Sequence, residues 1–154
     1  MPYFKASDTI SGQEGRAYAT IQSQNVEMFY LKNIEATVEK QKAEMKAIGR
    51  RGVQHKATGW KGSGTMTIYY ATSRFRELML DYMSTGRDTY FSITIVNEDP
   101  NSQTGKQEVT LKNVNLDKVI MAKLDTESDM LDEEVGFTFE DVEIKNSFRD
   151  PKLG

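Results

Sequence analysis

The sequence contains no cysteine, a single histidine (His55) and three prolines among its 154 residues. Without cysteine the chain cannot form disulfide bonds, thiolate zinc sites or a catalytic thiol. A Ser-His-Asp arrangement would have to be built on His55, which lies in a cationic, glycine-rich stretch. No apolar run approaches the ~18 residues that cross a bilayer, and the N-terminus lacks a signal-peptide pattern. We therefore expect synthesis in the cytoplasm and no membrane partner.

Motifs for phosphate and metal chemistry are also missing. Between Gly49 and Gly64 no Gly-Lys pair precedes serine or threonine, as a P-loop requires. The Gly-Ser-Gly run at 62–64 lacks the third glycine of a dinucleotide fingerprint. The acidic run at 125–134 lacks the glycine turn of an EF-hand. We expect no enzyme activity, no catalytic residue, no cofactor and no bound metal.

Three segments alternate between apolar and polar residues with the period of a half-buried strand. They lie near residues 16–22, 65–71 and 90–97. Their inward-facing sets are Ala17, Ala19 and Ile21; Met66, Ile68 and Tyr70; and Phe91, Ile93 and Ile95. The polar segment 97–105 follows the third strand and predicts a hairpin connection.

Other segments alternate and then change parity. The change occurs at "LKNI" (Leu31–Ile34), at "LKNV" (Leu111–Val114) and between Phe139 and Val142. A β-bulge accounts for such a change and often bends a strand from one sheet into a second. Chance similarity of the two tetrapeptides is the alternative.

One helix is predicted at about 73–85. Phe75, Leu78, Met79, Tyr82 and Met83 recur at helical spacing and form one apolar stripe. Ser73 is the expected N-cap and Gly86 the expected C-terminal stop. The fold class is therefore mainly β: two packed, roughly orthogonal antiparallel sheets forming a sandwich or barrel with one flanking α-helix, in a single domain over 1–154.

Charge is separated into two blocks. Residues 40–61 hold seven Lys or Arg and one acid, whereas residues 125–143 hold nine acids and no base. One interpretation is two solvated faces. The other is a pair of complementary surfaces which, if they lie at opposite ends, join copies head to tail without closing.

Nucleic-acid binding is an alternative function for the basic block. Arg50, Arg51, Lys56 and Lys61 would contact phosphates while Trp60 stacks on a base. The isoelectric point near 5.3 argues against the usual basic footprint.

Long stretches of the chain resemble the tail tube proteins of contractile phage tails, and among them the tube proteins of defective prophages. These stretches are "GQEGRAYATI", "VNLDKVIMAKLD", "VGFTFEDVEI" and the sixty-one residues from Leu31 to Phe91. The resemblance extends from about Gly12 to Phe148.

The resemblance implies a structural virion protein that self-assembles. Hexameric rings would stack into a hollow tube inside a sheath, with sheath and baseplate or initiator proteins as partners. DNA would pass through the lumen without specific binding, or the particle would act as a tail-like bacteriocin. The subunit would be assembled into such particles and released on lysis.

The resemblance also implies a long assembly loop, at about 40–62 here, which we expect to be pliable because of its glycines. The expected contacts between subunits join this loop to the acidic block of a neighbour. The interface residues would be Arg50, Arg51, His55, Lys56, Trp60, Lys61, Asp129, Asp132, Glu133 and Glu134. Trp60 would be either an apolar anchor or a local core residue. The alternating positions Thr65, Thr67 and Tyr69 are the candidate lumen face.

Overall fold

A computed structural model describes residues 3–28 and 30–150 of the chain. Within these residues it contains eight β-strands, one α-helix and a 3-10 turn at Ala6–Asp8. The elements are β1 (Gly15–Ile21), β2 (Gln24–Glu27), β3 (Leu31–Met45), β4 (Gln54–Tyr69), α1 (Arg74–Thr85), β5 (Phe91–Glu98), β6 (Lys106–Lys118), β7 (Asp132–Phe139) and β8 (Asp141–Asn146).

The strands pair antiparallel in the order β2-β1-β5-β6-β7-β4-β3, and β8 pairs with β6. One sheet contains β2, β1, β5, β8 and the first part of β6, while the other contains the last part of β6 with β7, β4 and β3. This arrangement confirms the expected fold of two antiparallel sheets with a flanking helix. The barrel is not closed, because β2 and β3 stand at the two ends of the strand order.

Register shifts confirm two of the three predicted β-bulges; between Phe139 and Val142 the strand is interrupted instead, since β7 ends at Phe139 and β8 begins at Asp141. The β3–β4 register shifts between Leu31 and Asn33. On β6, Leu111 and Val114 pair with Ile93 and Phe91, so one extra residue is inserted, and Asn113 adopts a φ of 54°. The strand pairs with β5 before this bulge and with β7 after it, so the bulge is where β6 passes between the sheets.

The core lies between the two sheets and is built by the alternating positions. The side chains buried most completely include Ala19, Met66, Ile68, Ile93, Val135 and Phe137. The helix joins this core through Phe75, whose ring lies 6.2 Å from that of Phe91.

The helix begins and ends at the predicted residues, although the Ser73 side chain forms no capping hydrogen bond. Its apolar stripe is only partly buried. Gly86 closes it with a left-handed φ of 75°. Leu78 packs against the core, whereas Tyr82 and Met83 are 51% and 65% exposed. The sheets therefore cover the first turns of α1 and leave its last turn in solvent.

The segment expected to be a loop at about 40–62 is instead mostly β-hairpin. β3 and β4 remain paired from Lys40 opposite Trp60 to Met45 opposite Gln54, so only residues 46–53 connect them. The outer half of the hairpin is exposed on both faces, and the alternation that identifies a half-buried strand is therefore absent there. Backbone pairing with a neighbouring strand carries this part of the fold.

Two glycines that we expected to loosen the segment have a packing role. A Cβ at Gly62 would lie 2.3 Å from the Phe139 ring, and one at Gly64 would lie 2.5 Å from both the Phe137 ring and the Glu35 carbonyl oxygen. Each phenylalanine is the direct cross-strand partner of its glycine. The missing side chains leave the space into which the two rings fold.

Candidate assembly surfaces

The outer half of the β3–β4 hairpin extends beyond the rest of its sheet. β7 pairs with β4 only from Tyr69 to Gly62. Residues 54–61 of β4 therefore pair with β3 alone, forming a two-stranded ribbon of about 25 Å at ~3.3 Å per residue. We call residues 40–61 the arm. Because β7 stops at Phe139, the arm has an unpaired backbone edge on each side.

A tight turn forms the arm tip. The Arg50 N–H donates a hydrogen bond to the Ala47 carbonyl at 3.3 Å, and Gly49 between them has a φ of 87°. This is the position at which a type II turn places glycine. Ile48 occupies the corner of the turn and is fully exposed, with a relative accessibility of 107%.

The basic side chains of the arm point into solvent. Arg50, Arg51, Lys56 and Lys61 are all exposed, as is His55. Within residues 3–28 and 30–150, none of these five forms an ion pair. These five side chains therefore have no ion-pair partner in the described part of their own chain.

Trp60 combines the two roles considered for it. Its ring is tilted against Phe139 at a centroid distance of 6.5 Å, yet the residue is 45% exposed. It lines an open apolar groove with Val38, Ala57 and Val142. Trp60 thus packs locally at the base of the arm and still presents apolar surface.

Two of the expected acidic interface residues are already paired within the chain. Asp132 accepts a hydrogen bond from the Lys32 ammonium at 3.1 Å, and Lys123 lies 3.6 Å away. The Lys32 hydrogen bond and charge lower the pKa of Asp132 below its ordinary value. Glu133 is only 1% exposed and forms an ion pair with Arg76. The expectation for Glu133 is wrong, because a carboxylate enclosed in this way presents no surface to a neighbour.

Arg76 connects Glu133 to the start of the helix. Its guanidinium also donates to the Thr72 carbonyl and lies 4.4 Å from the centre of the Tyr70 ring. The arrangement ties α1 to the beginning of β7. Its function is structural: it anchors the flanking helix.

The other acidic residues near Asp132 and Glu133 are exposed and form no ion pair within the described residues. Asp129 and Glu134 are exposed, and so are Asp125 and Glu127 in the β6–β7 connection. In the portion of the chain that the structure describes, none of these four carboxylates forms an ion pair. We call residues 119–134 the acidic end.

Sequence reasoning counted these acids and missed the apolar residues between them. Leu124 and Met130 are 89% and 70% exposed, and Met121 is 43% exposed. The sequence did contain a sign of their exposure, because they occur in a segment that has neither strand nor helix periodicity. Such residues have no regular face to bury, and several exposed large apolar groups within one short segment indicate an interaction surface.

The arm tip and the acidic end lie at opposite ends of β4. Tyr69 pairs with Asp132 at one end, and Gln54 pairs with Met45 at the other. Fifteen residue steps separate Gln54 from Tyr69, or about 50 Å of strand. The two surfaces therefore cannot contact each other within one chain. Glu140, Asp141 and Glu143 belong to the acidic block in sequence but lie at the base of the arm.

A third surface is the solvent face of the sheet that carries the arm. Opposite its buried side, β4 and β7 present small, hydroxyl and acidic side chains in cross-strand pairs. The pairs are Ser63 with Thr138, Thr65 with Gly136, and Thr67 with Glu134. This is the alternating set that contains the candidate lumen positions Thr65 and Thr67.

A family model described as "Phage tail tube protein" matches residues 2–146. The chain belongs to the phage tail tube protein family. Its role is therefore that of a structural component of a tail tube, as the resemblance implied.

A relative from Bacillus subtilis (strain 168), "Phage-like element PBSX protein XkdM", is 45% identical over 146 residues, covering 95% of this chain and 97% of the relative. The relative belongs to a phage-like element, in agreement with the expected similarity to prophage proteins. A solved Bacillus subtilis structure that is 43% identical covers 92% of this chain and 99% of its own, with a TM-score of 0.50.

More distant solved structures share the fold of this tail tube protein. The anti-feeding prophage cap (AFP tube terminating cap) has a TM-score of 0.68 at 9% identity, covering 94% of this chain and 96% of its own. A sheath-tube complex of an extracellular contractile injection system has a TM-score of 0.65 at 10% identity, covering 93% and 99%. At these identities the likeness establishes the fold.

No helix within 3–28 and 30–150 is long and apolar enough to cross a membrane. In the same residues no three His, Cys, Asp or Glu side chains are grouped as metal ligands.

Proposed function

We propose that copies of this chain assemble into rings that stack into the inner tube of a contractile tail or tail-like particle. The observation that supports this proposal is that two oppositely charged surfaces, the basic arm and the acidic end, lie at opposite ends of the molecule. A basic arm and an acidic end of one chain cannot meet, but those of two chains can. Such a contact is heterologous and does not close, so it repeats along an axis.

In this proposal Arg50 and Arg51 at the arm tip pair with Asp129 and Glu134 of a copy in the next ring. Arg50 and Arg51 are exposed and, within the described residues, free of ion pairs. Their guanidinium groups suit carboxylates because they donate hydrogen bonds in a planar, bidentate geometry.

Lys56, Lys61 and His55 lie on the strands of the arm rather than at its tip. They add positive potential along it, which favours approach of the acidic end. Trp60, at the base of the arm, would contact a neighbour through its exposed part.

Ring formation rests on the unpaired strand edges. The arm has two free edges and β3 is an edge strand over its whole length. Exposed edges of this length promote pairing with another chain. Hexameric rings, in which neighbouring sheets join into a continuous inner barrel, would remove these edges.

The face with Ser63, Thr65 and Thr67 is the proposed lining of the lumen. Its partners on β7 are Thr138, Gly136 and Glu134, and Lys118 of β6 lies opposite Gly136. Glu134 stands at the end of this face, where it would meet the arm of the next copy. The rest of the face is mostly hydroxyl groups with one lysine, so it would hold phosphates only weakly and DNA would pass. The outer surface would face sheath, baseplate or initiator proteins. We further propose that the chain has no catalytic role and is released within particles on lysis.

The test is charge reversal at the arm tip. Purified wild-type protein is concentrated and examined by negative-stain microscopy for rings and tubes of uniform bore. Arg50→Glu with Arg51→Glu is expected to yield folded protein, judged by circular dichroism, that forms no tubes. Arg50→Lys with Arg51→Lys keeps the charges and is the matched control, which we expect to retain assembly.

A complementary reversal makes the test specific. Protein with Asp129→Lys and Glu134→Lys is expected to co-assemble with the arm-reversed protein, because both surfaces have exchanged sign. Normal tubes from the arm-reversed variant alone would contradict the proposed contact. A monomeric wild-type protein that retards DNA at physiological salt would instead favour nucleic-acid binding through the arm.

A further inference from the structure

We infer that the contact between stacked copies has an apolar centre, in which Ile48 of one arm tip docks between Leu124 and Met130 at the acidic end of another copy. This inference rests on the proposed function, since it names the residues that join its two charged surfaces. The inferred contact adds apolar burial to the electrostatic attraction between the two surfaces.

The arm tip is shaped to present one apolar side chain. The turn at 47–50 places Ile48 at its corner. None of the described residues covers its side chain, which is therefore fully exposed. Arg50 and Arg51 follow directly. An isoleucine held at the end of a paired ribbon and flanked by cations has the form of an interface anchor with a charged rim.

The acidic end has the matching composition. Leu124 and Met130 are the most exposed apolar residues of the β6–β7 connection, and Asp125, Glu127 and Asp129 lie between them. The Lys123 ammonium donates a hydrogen bond to the Asp132 carbonyl at 2.6 Å, and this contact fixes the connection against the start of β7. This contact places Leu124, which follows Lys123, and Met130, two residues before Asp132, at the same end of β7, with Asp125, Glu127 and Asp129 between them in sequence.

The occupant is a second copy of this chain. The charges of the two surfaces are opposite, and each surface has apolar residues that its own chain leaves uncovered. The two surfaces lie at opposite ends of β4, so the contact is intermolecular by geometry. Contact between unlike ends also reproduces the direction of stacking in the proposed tube.

The absence of cysteine gives a direct test of proximity. Protein with Ile48→Cys is mixed with a size-tagged protein carrying Leu124→Cys, under conditions in which the wild type forms tubes. A short bismaleimide is then added, and the mixed-size dimer is measured on a denaturing gel. The control replaces Leu124→Cys by Leu80→Cys, an exposed apolar position on α1.

We expect a strong mixed dimer from Ile48→Cys with Leu124→Cys and little from the control pair. Assembled tubes without this dimer would overturn the inference while leaving the proposed function intact. If the wild-type protein stays monomeric at every concentration tested, the proposed function fails instead.

Truncation of the anchor gives an independent measure. Burying an isoleucine side chain corresponds to about ten- to hundredfold in an association constant. Ile48→Ser is therefore expected to raise the protein concentration needed for tube formation by about that factor, with Leu80→Ser as the matched control. An unchanged concentration for Ile48→Ser would also contradict the inference.

Discussion

Replacing Arg76 by methionine is expected to destabilise the fold by about 3–5 kcal/mol, the usual cost of removing one partner from a buried ion pair. Glu133 is 1% exposed and Arg76 13% exposed, so water cannot replace the lost guanidinium at the carboxylate. With a domain stability of about 5–15 kcal/mol, the variant would fold but unfold at much lower urea concentration.

The double variant Arg76→Met with Glu133→Leu separates the ion pair from the other contacts of Arg76. An apolar pair of similar volume removes the stranded charge and should recover most of the stability. A deficit of about 1–2 kcal/mol should remain, because the contact with the Tyr70 ring and the hydrogen bond to Thr72 are also lost.

The assay is urea unfolding followed by far-ultraviolet circular dichroism on the wild type, both single variants and the double variant. The expected coupling energy between Arg76 and Glu133 is at least about 2–3 kcal/mol, the difference between the cost of Arg76→Met and that of the double variant, and any cost of Glu133→Leu alone adds to it. Additive effects, or a cost below about 1 kcal/mol for Arg76→Met, would refute the assignment of this pair as the anchor of α1.

Three further predictions follow from the same structure. Gly64→Ala should destabilise the fold by about 1–3 kcal/mol, because its Cβ would collide with the Glu35 carbonyl, while Gly12→Ala, which meets nothing, should not. Equal urea midpoints for these two variants would contradict the packing role. Asp132 has a pKa below its ordinary value, so its pairing with Lys32 stabilises the fold above pH ~3.8 and is lost as pH falls through the lower, folded-state pKa. Lys32→Ala should raise the pKa of Asp132 in a carboxylate NMR titration, and an unchanged pKa would disprove the pairing. Trp60, the one tryptophan, is half exposed, so its emission should shift to shorter wavelength when a neighbour covers it in the tube. Identical emission from monomer and tube would exclude Trp60 from the interface.

The arm shows where sequence reasoning lost its signal. Periodicity identified β1 and β5 because one face of each strand is buried, as at Ala19 and Ile93. The resemblance implied a loop at residues 40–62, and periodicity gave no strand signal against it, since a ribbon exposed on both faces has no apolar period. Its strands are specified by pairing partners that the local sequence does not reveal.

Local patterns and family motifs determined much of this protein without a structure. They set the strand alternation, the helix between Ser73 and Gly86, the bulges at the two "LKN" sites and the membership in the tail tube family. Each depends on residues close together in the chain or on a motif read directly from it.

The tertiary structure decided what depends on remote neighbours. Glu133 is enclosed because Arg76 lies beside it across 57 residues of chain. Gly64 has its role because the Phe137 ring folds over it from β7. The opposite placement of the basic arm and the acidic end follows from the pairing of β4 with β7. Long-range contacts of this kind arise from packing in three dimensions, which sequence spacing alone does not encode.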